Sequence, residues 1–65
     1  SDEQREIPAW LDYEQLPGLS TEIRQKLMLH RPATIAQAQA IDGVTASSIT
    51  LLLSIIRRGT LRKAG

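Results

Sequence analysis

The last part of the sequence repeats large aliphatic side chains at the spacing of a helix. Four of them follow the i, i+3, i+4, i+7 pattern of one helix face: Ile49, Leu52, Leu53 and Ile56. Thr45 precedes this run as an N-cap residue, and Gly59 follows it as a residue that ends helices. We therefore predict a helix from Ala46 to about Arg58, whose wide apolar face must pack on other helices.

The chain has 65 residues and no cysteine, so neither a disulfide nor a thiolate-bound metal can hold it together. A chain of this length buries only about 60% of its unfolded surface, so we expect marginal stability. Its apolar residues are mainly Leu, Ile and Ala, with one Trp, one Tyr and no Phe. This composition favours helices over strands and predicts an all-α fold.

Two shorter helices are predicted before this one. Ser20 is an N-cap residue for a helix from Thr21 to about His30, which Pro32 ends because the residue before a proline avoids the α region. Thr34 begins a T-x-x-Q capping box that predicts a second helix from Ile35 to Ile41. With a helical turn near the N-terminus, these segments predict a small bundle of three main short helices.

The chain divides into three predicted parts: a disordered N-terminal lead at 1–6, a helical domain at 7–58 and a basic flexible tail at 59–65. The sequence begins without methionine, which indicates an excised fragment, and its acidic start does not fit a signal peptide. No apolar run reaches the roughly 18 residues of a membrane span. We expect a cytoplasmic protein without a membrane partner.

Positive charge is concentrated towards the C-terminus, although the net charge is only +1. Residues 32–65 contain one acid and four bases, whereas residues 1–31 contain six acids and four bases. The bases predicted to bind phosphate are Arg57, Arg58, Arg62 and Lys63. Three further bases are predicted to extend this basic patch: Lys26, Arg31 and Arg24. The alternative is a solvated helix end followed by a soluble tail.

The second and third predicted helices have the lengths of a helix-turn-helix corner around Gly43. A DNA-reading helix needs Arg, Asn or Gln in its first turns to reach base edges. Small residues occupy these positions instead: Ala46, Ser47, Ser48 and Thr50. Sequence-specific DNA binding is therefore not expected, and a compact structural corner is the simpler interpretation.

Catalytic, cofactor-binding and metal-binding residues are not predicted in this chain. His30 is the only histidine, and no acid, cysteine or serine stands in register with it. A second apolar strip, Leu51 and Ile55, widens the apolar arc of the third helix to about 200°. We expect this strip to contact another domain or protein, unless the segment Ile7–Leu16 covers it.

The order and spacing of several short motifs resemble the C-terminal helical domain of the glucose-inhibited division protein A family (MnmG). These motifs are Ile7-Pro8 with Asp12-Tyr13, Gly18-Leu19-Ser20 with Glu22, Arg31-Pro32 with Thr34-Ile35 and Gln37-Ala38, Gly43-Val44-Thr45 with Ile49, and Leu52-Leu53. The chain departs from the family pattern at Ala36, often Gly, and at Ala46, often Pro. Ala40 stands near a position that is often basic, which weakens an RNA contact there.

The resemblance implies a non-catalytic domain of a dimeric, FAD-dependent enzyme that modifies the wobble uridine of tRNA. That enzyme uses NADH and a folate one-carbon donor and works with a GTPase partner, MnmE. The resemblance also implies that the chain itself holds no cofactor. Its basic residues would contact tRNA, and the strip of Leu51 and Ile55 would contact the protein partner. The alternatives are a stand-alone helix-turn-helix DNA-binding module and a purely structural cap.

Overall fold

The computed structural model describes residues 2–59, which form three α-helices: α1 at Thr21–His30, α2 at Ile35–Gln39 and α3 at Ala46–Arg58. Two short 3₁₀ turns, Asp2–Gln4 and Tyr13–Gln15, precede α1. Within this described part there is no strand, and the one β-type contact is an isolated antiparallel bridge between Glu6 and Thr34. The predicted all-α bundle of three helices is confirmed.

Each helix begins at the predicted cap, because a hydroxyl oxygen accepts the N–H three residues further on. The pairs are Ser20 with Ile23, Thr34 with Gln37 and Thr45 with Ser48, each at 3.2 Å. The capping box differs in one detail. The Gln37 side chain accepts the N–H of Ala33 at 2.8 Å instead of that of Thr34, and so orders the residue between Pro32 and the helix.

The ends of α1 and α3 agree with the prediction, whereas α2 ends at Gln39 and not at Ile41. The chain tightens there, since the N–H of Ala40 donates to the carbonyls of both Ala36 and Gln37 at 3.2 Å. Gly43, at φ +96°, then reverses the chain into α3, where a side chain would be strained. The predicted end of α2 was two residues too late, because no proline or cap residue in the sequence marks this tighter turn.

The centre of the molecule is formed by one large side chain from each helix. Leu27, Ile35 and Leu52 are fully buried, and each comes from a different helix. The non-helical segment before α1 completes the core with four further buried residues: Leu11, Tyr13, Leu16 and Leu19. On the predicted face of α3, Ile49 and Leu52 are buried, whereas Leu53 and Ile56 are half-buried. Four of the ten buried apolar residues in the described part lie before α1.

Hydrogen bonds between residues 5–7 and 33–35 attach the N-terminal segment to the start of α2. The N–H of Ile7 donates to the carbonyl of Ala33 at 2.8 Å, and the N–H of Ile35 donates to that of Arg5 at 3.0 Å. Among the residues assigned to the predicted lead at 1–6, Ser1 lies outside the described part. The predicted division of the chain at residues 6 and 58 stays a prediction.

Arg24 on α1 points inward and does not extend a cationic surface patch. Its guanidinium donates to the carbonyls of Tyr13 at 2.7 Å, Leu16 at 3.1 Å and Leu19 at 3.0 Å. The Tyr13 carbonyl also accepts the N–H of Leu16 at 3.3 Å, and the guanidinium supplies a donor to the carbonyls of Leu16 and Leu19 in a segment with little regular structure. Arg24 therefore holds the segment that contributes Tyr13, Leu16 and Leu19 to the core.

We expect Arg24→Met to lower the free energy of unfolding by about 2 kcal/mol, because three carbonyls lose a charged donor while the aliphatic stem is kept. Gln25→Met, on the exposed side of the same helix, is the matched control and should change stability by less than about 0.5 kcal/mol. Urea unfolding followed by circular dichroism measures both. Equal losses in the two variants would contradict the role given to Arg24.

Candidate functional site

Arg57 and Arg58, here called the C-terminal arginine pair, lie exposed in the last turn of α3. Arg57 is engaged within the chain, since its Nη2 lies 2.7 Å from Oδ2 of Asp2, and Asp2 also pairs with Arg5 at 3.5 Å. The predicted phosphate-binding residues Arg62 and Lys63 lie outside the described residues. The N-terminal turn thus places an acid against one of the predicted phosphate-binding cations.

Lys26, a further predicted phosphate-binding residue, contacts the connection between α2 and α3. Its Nζ donates to the carbonyl of Asp42 at 2.7 Å and lies 3.3 Å from Oε2 of Glu22. A Cβ atom on Gly43 would come within 2.7 Å of this Nζ, so the amine occupies the space that the glycine leaves open. Lys26 therefore has a structural role in addition to its positive charge.

Arg31 ends α1 in the left-handed conformation, at φ +47°, and its side chain borders a cavity. This cavity, here called the proline cavity, has a volume of about 260 Å³. It is lined by Ile7, Pro8, Ala9, Leu11, Tyr13, Arg31, Pro32 and Ala33. The hydrogen bond between Ile7 and Ala33 joins its two walls. The structure thus places Arg31 beside a largely apolar cavity, and its predicted role in phosphate binding stays a prediction.

Tyr13 is part of the lining of the proline cavity and is 3% exposed. Burial raises the pKa of its hydroxyl above the usual 10.0, because the charged phenolate would lose solvation, and the positive charge of Arg31 lowers it in part. Arg31 and Tyr13 both line the proline cavity. The sequence motifs contain both residues but give no sign that they share one cavity.

The second apolar strip of α3 is half-buried. Both Leu51 and Ile55 pack against the edge of the core. The Cδ2 atom of Leu51 lies 3.3 Å from the position that a Cβ on Gly18 would occupy, so the turn before α1 covers part of Leu51. The exposed large apolar side chain in the described part is Leu29, at 77%, which lies on a different side of α1 from the buried Ile23 and Leu27.

The first turn of α3 uses its polar side chains internally. The hydroxyl of Thr45 lies 3.1 Å from that of Ser47 and 2.8 Å from that of Ser48, and Ser48 is buried. These are positions from which a helix-turn-helix protein would reach DNA bases. Over residues 2–59 there is no group of three or more acidic, histidine or cysteine side chains arranged for a metal, and no helix is long and apolar enough to span a membrane.

A bundle of three short α-helices, without a strand over residues 2–59, defines a small all-α domain. The chain belongs to the family described as the tRNA modifying enzyme MnmG/GidA C-terminal helical bundle, which it matches over residues 1–64.

The relatives of this chain are much longer than the chain itself. It is 53% identical over 51 residues to the tRNA uridine 5-carboxymethylaminomethyl modification enzyme MnmG of Caldicellulosiruptor saccharolyticus, covering 78% of this chain and 8% of that protein. Two crystal forms of Aquifex aeolicus GidA have the same fold, with TM-scores of 0.78 and 0.77, 44% identity and coverage of 85% of this chain and 9% of GidA. The chain thus spans less than a tenth of these relatives.

We expect the unfolding free energy to fall as pH rises above about 10. The pKa of Tyr13 is raised in the folded state, so the unfolded chain loses this proton first, and the stability is lost as pH rises through the folded pKa. The Tyr13→Phe variant should show a smaller fall in unfolding free energy over the same pH range. Arg31→Gln should raise the pKa of Tyr13 further, since it removes the nearby positive charge.

The ultraviolet absorbance of tyrosinate measures this titration directly, because Tyr13 is the only tyrosine. Arg5→Gln is the control for loss of one exposed cation elsewhere on the chain. A Tyr13 pKa that responds equally to both substitutions would mean that Arg31 exerts no specific effect.

Proposed function

We propose that this chain is the non-catalytic tRNA- and partner-docking domain of an FAD-dependent enzyme that modifies the wobble uridine of tRNA. The observation that carries this proposal is the family match, together with 53% identity to a relative named as a tRNA uridine modification enzyme. In this proposal FAD and NADH bind to other parts of a homodimeric parent enzyme. The chain contributes binding, without a catalytic residue.

The tRNA contact is assigned to the C-terminal arginine pair, with Arg62, Lys63, Lys26 and Arg31 as the further proposed residues. Arg57 and Arg58 are exposed at the C-terminal end of α3, and Arg guanidinium groups match phosphate geometry in a bidentate manner. The ion pair of Arg57 with Asp2 does not prevent this, because exposed ion pairs contribute only about 0–1 kcal/mol. A phosphate can therefore replace the carboxylate of Asp2.

The protein partner in this proposal is the GTPase MnmE, and the docking surface includes Leu51 and Ile55. Both side chains are only half-buried, so apolar area on this side of α3 is left for another protein to cover. Sequence-specific DNA binding receives no support from α3, where Ser47 and Ser48 contact Thr45. A purely structural cap would bind neither tRNA nor the GTPase.

We expect this chain to bind tRNA with an affinity that falls as salt increases. The variant with both Arg57→Ala and Arg58→Ala should bind more weakly at every salt concentration. The slope of log K against log salt should decrease by roughly 0.7 to 0.9 for each phosphate that the variant no longer neutralises. Filter binding or fluorescence anisotropy over a salt series measures this slope.

Gln39→Glu lowers the net charge by one at an exposed position outside the proposed tRNA-binding residues and is the control for each single arginine substitution. Its slope should match that of the unmodified chain. If the double variant also keeps the unmodified slope, Arg57 and Arg58 have no part in tRNA binding.

Asp2→Asn should strengthen tRNA binding about two- to fivefold at low salt, because Arg57 no longer has to exchange a carboxylate for a phosphate. The same substitution in an Arg57→Ala background should have a smaller effect. Anisotropy titrations of the four proteins in this cycle test the coupling between the two residues. An equal gain in both backgrounds would indicate a general charge effect instead.

A further inference from the structure

Residues 2–6, here called the acidic flap, lie beside the C-terminal arginine pair. Their charged side chains are three acids and one base: Asp2, Glu3, Glu6 and Arg5. The flap reaches α3 through Asp2, whose Oδ2 atom lies 2.7 Å from Nη2 of Arg57. A segment of net negative charge is therefore paired with the basic end of α3.

The flap is firmly attached at its C-terminal end. The carbonyl of Arg5 accepts the N–H of Ile35 at 3.0 Å, and the N–H of Ile7 donates to the carbonyl of Ala33 at 2.8 Å. The side chain of Ile7 is half-buried and packs against the core. These backbone and apolar contacts do not depend on charge, so residues 5–7 keep their place when ionic contacts change.

The other end of the flap is held by exposed polar contacts. No residue of the turn Asp2–Gln4 is buried, and the paired side chains of Asp2 and Arg57 are 46% and 55% exposed. Exposed ion pairs are weak because water screens them. Asp2 also has a second cation, Arg5, at 3.5 Å. The carboxylate therefore keeps a partner inside the flap when it leaves Arg57.

The carboxylate of Asp2 resembles a phosphate group in the way it meets arginine. Both groups are planar-edged anions that offer two oxygens to one guanidinium. A phosphate that takes the place of Asp2 at Nη2 of Arg57 excludes the carboxylate, since the two negative charges repel. Linkage then requires that bound phosphate weakens the closure of the flap as much as closure weakens the binding of phosphate.

We propose that the acidic flap is an autoinhibitory segment, which occupies Arg57 in the free domain and moves away from α3 when a tRNA phosphate binds there. Residues 5–7 stay attached to the start of α2 and act as the hinge of this movement. The inference rests on the proposed function and deepens it, since it adds a conformational regulation to the same arginine site.

The test measures the distance between the flap and α3 with a nitroxide spin label. The chain has no cysteine, so Gln4→Cys provides a single attachment point at an exposed position in the flap. Paramagnetic broadening of the Arg57 and Arg58 amide signals should fall about twofold or more when tRNA saturates the labelled chain, because an exposed ion pair is easily displaced. The amides of Ile7 and Ile35 should keep their protection from hydrogen exchange, since the hinge stays closed.

Two further variants of the labelled chain test the part played by Asp2. Asp2→Asn should show the weaker broadening of Arg57 and Arg58 before any tRNA is added, because the ion pair is lost. Glu14→Gln removes one negative charge at an exposed position outside the flap and should keep the broadening of the unmodified chain. Amide spectra of each labelled chain verify the fold before titration.

Fluorescence anisotropy of the same samples separates this inference from the function on which it rests. If tRNA binds and the broadening stays constant, the flap is not displaced, so the inference is wrong while the tRNA-binding function stands. Unchanged broadening in Asp2→Asn would also overturn it, since Asp2 would then not hold the flap on α3. If the unmodified chain does not bind tRNA at any salt concentration, the tRNA-binding function fails and the inference with it.

Discussion

The contact between Arg24 and three backbone carbonyls is the interaction on which the N-terminal half of this domain depends. Residues 13–19 contribute three buried side chains to the core but contain only one short 3₁₀ turn. Their carbonyls would be costly to bury without donors, and one guanidinium supplies donors to Tyr13, Leu16 and Leu19. A single cation on α1 therefore allows an irregular segment to complete a core that three short helices could not close.

The attachment of the irregular N-terminal segment also determines the shape of the proline cavity. Because Arg24 fixes Tyr13 against α1, and the pairing of residues 5–7 with 33–35 fixes Ile7, the chain between them forms one wall of the proline cavity. The opposite wall begins at Arg31, where α1 ends in a left-handed residue. The cavity is thus a consequence of how the irregular segment is attached, and its polarity follows from the residue that terminates α1.

The basic side chains of this chain divide into those that hold the fold and those that face solvent. Arg24 and Lys26 use their charges on backbone carbonyls, and these contacts order two connections between elements. Arg57, Arg58 and Arg31 are exposed, at the end of α3 and beside the proline cavity. We propose that these three exposed arginines contact tRNA.

The sequence by itself determined the all-α class, the three N-caps, the burial of Ile49 and Leu52 on α3, and the family, because caps and helical periodicity depend on residues only a few positions apart. The tertiary structure decided which cations hold the fold and which face solvent. Long side chains such as Arg24 and Lys26 reach across 5 to 16 residues of sequence to carbonyls whose positions depend on the packed core. It also decided the early end of α2 and the placement of Arg31 and Tyr13 on one cavity, since neither follows from a local pattern.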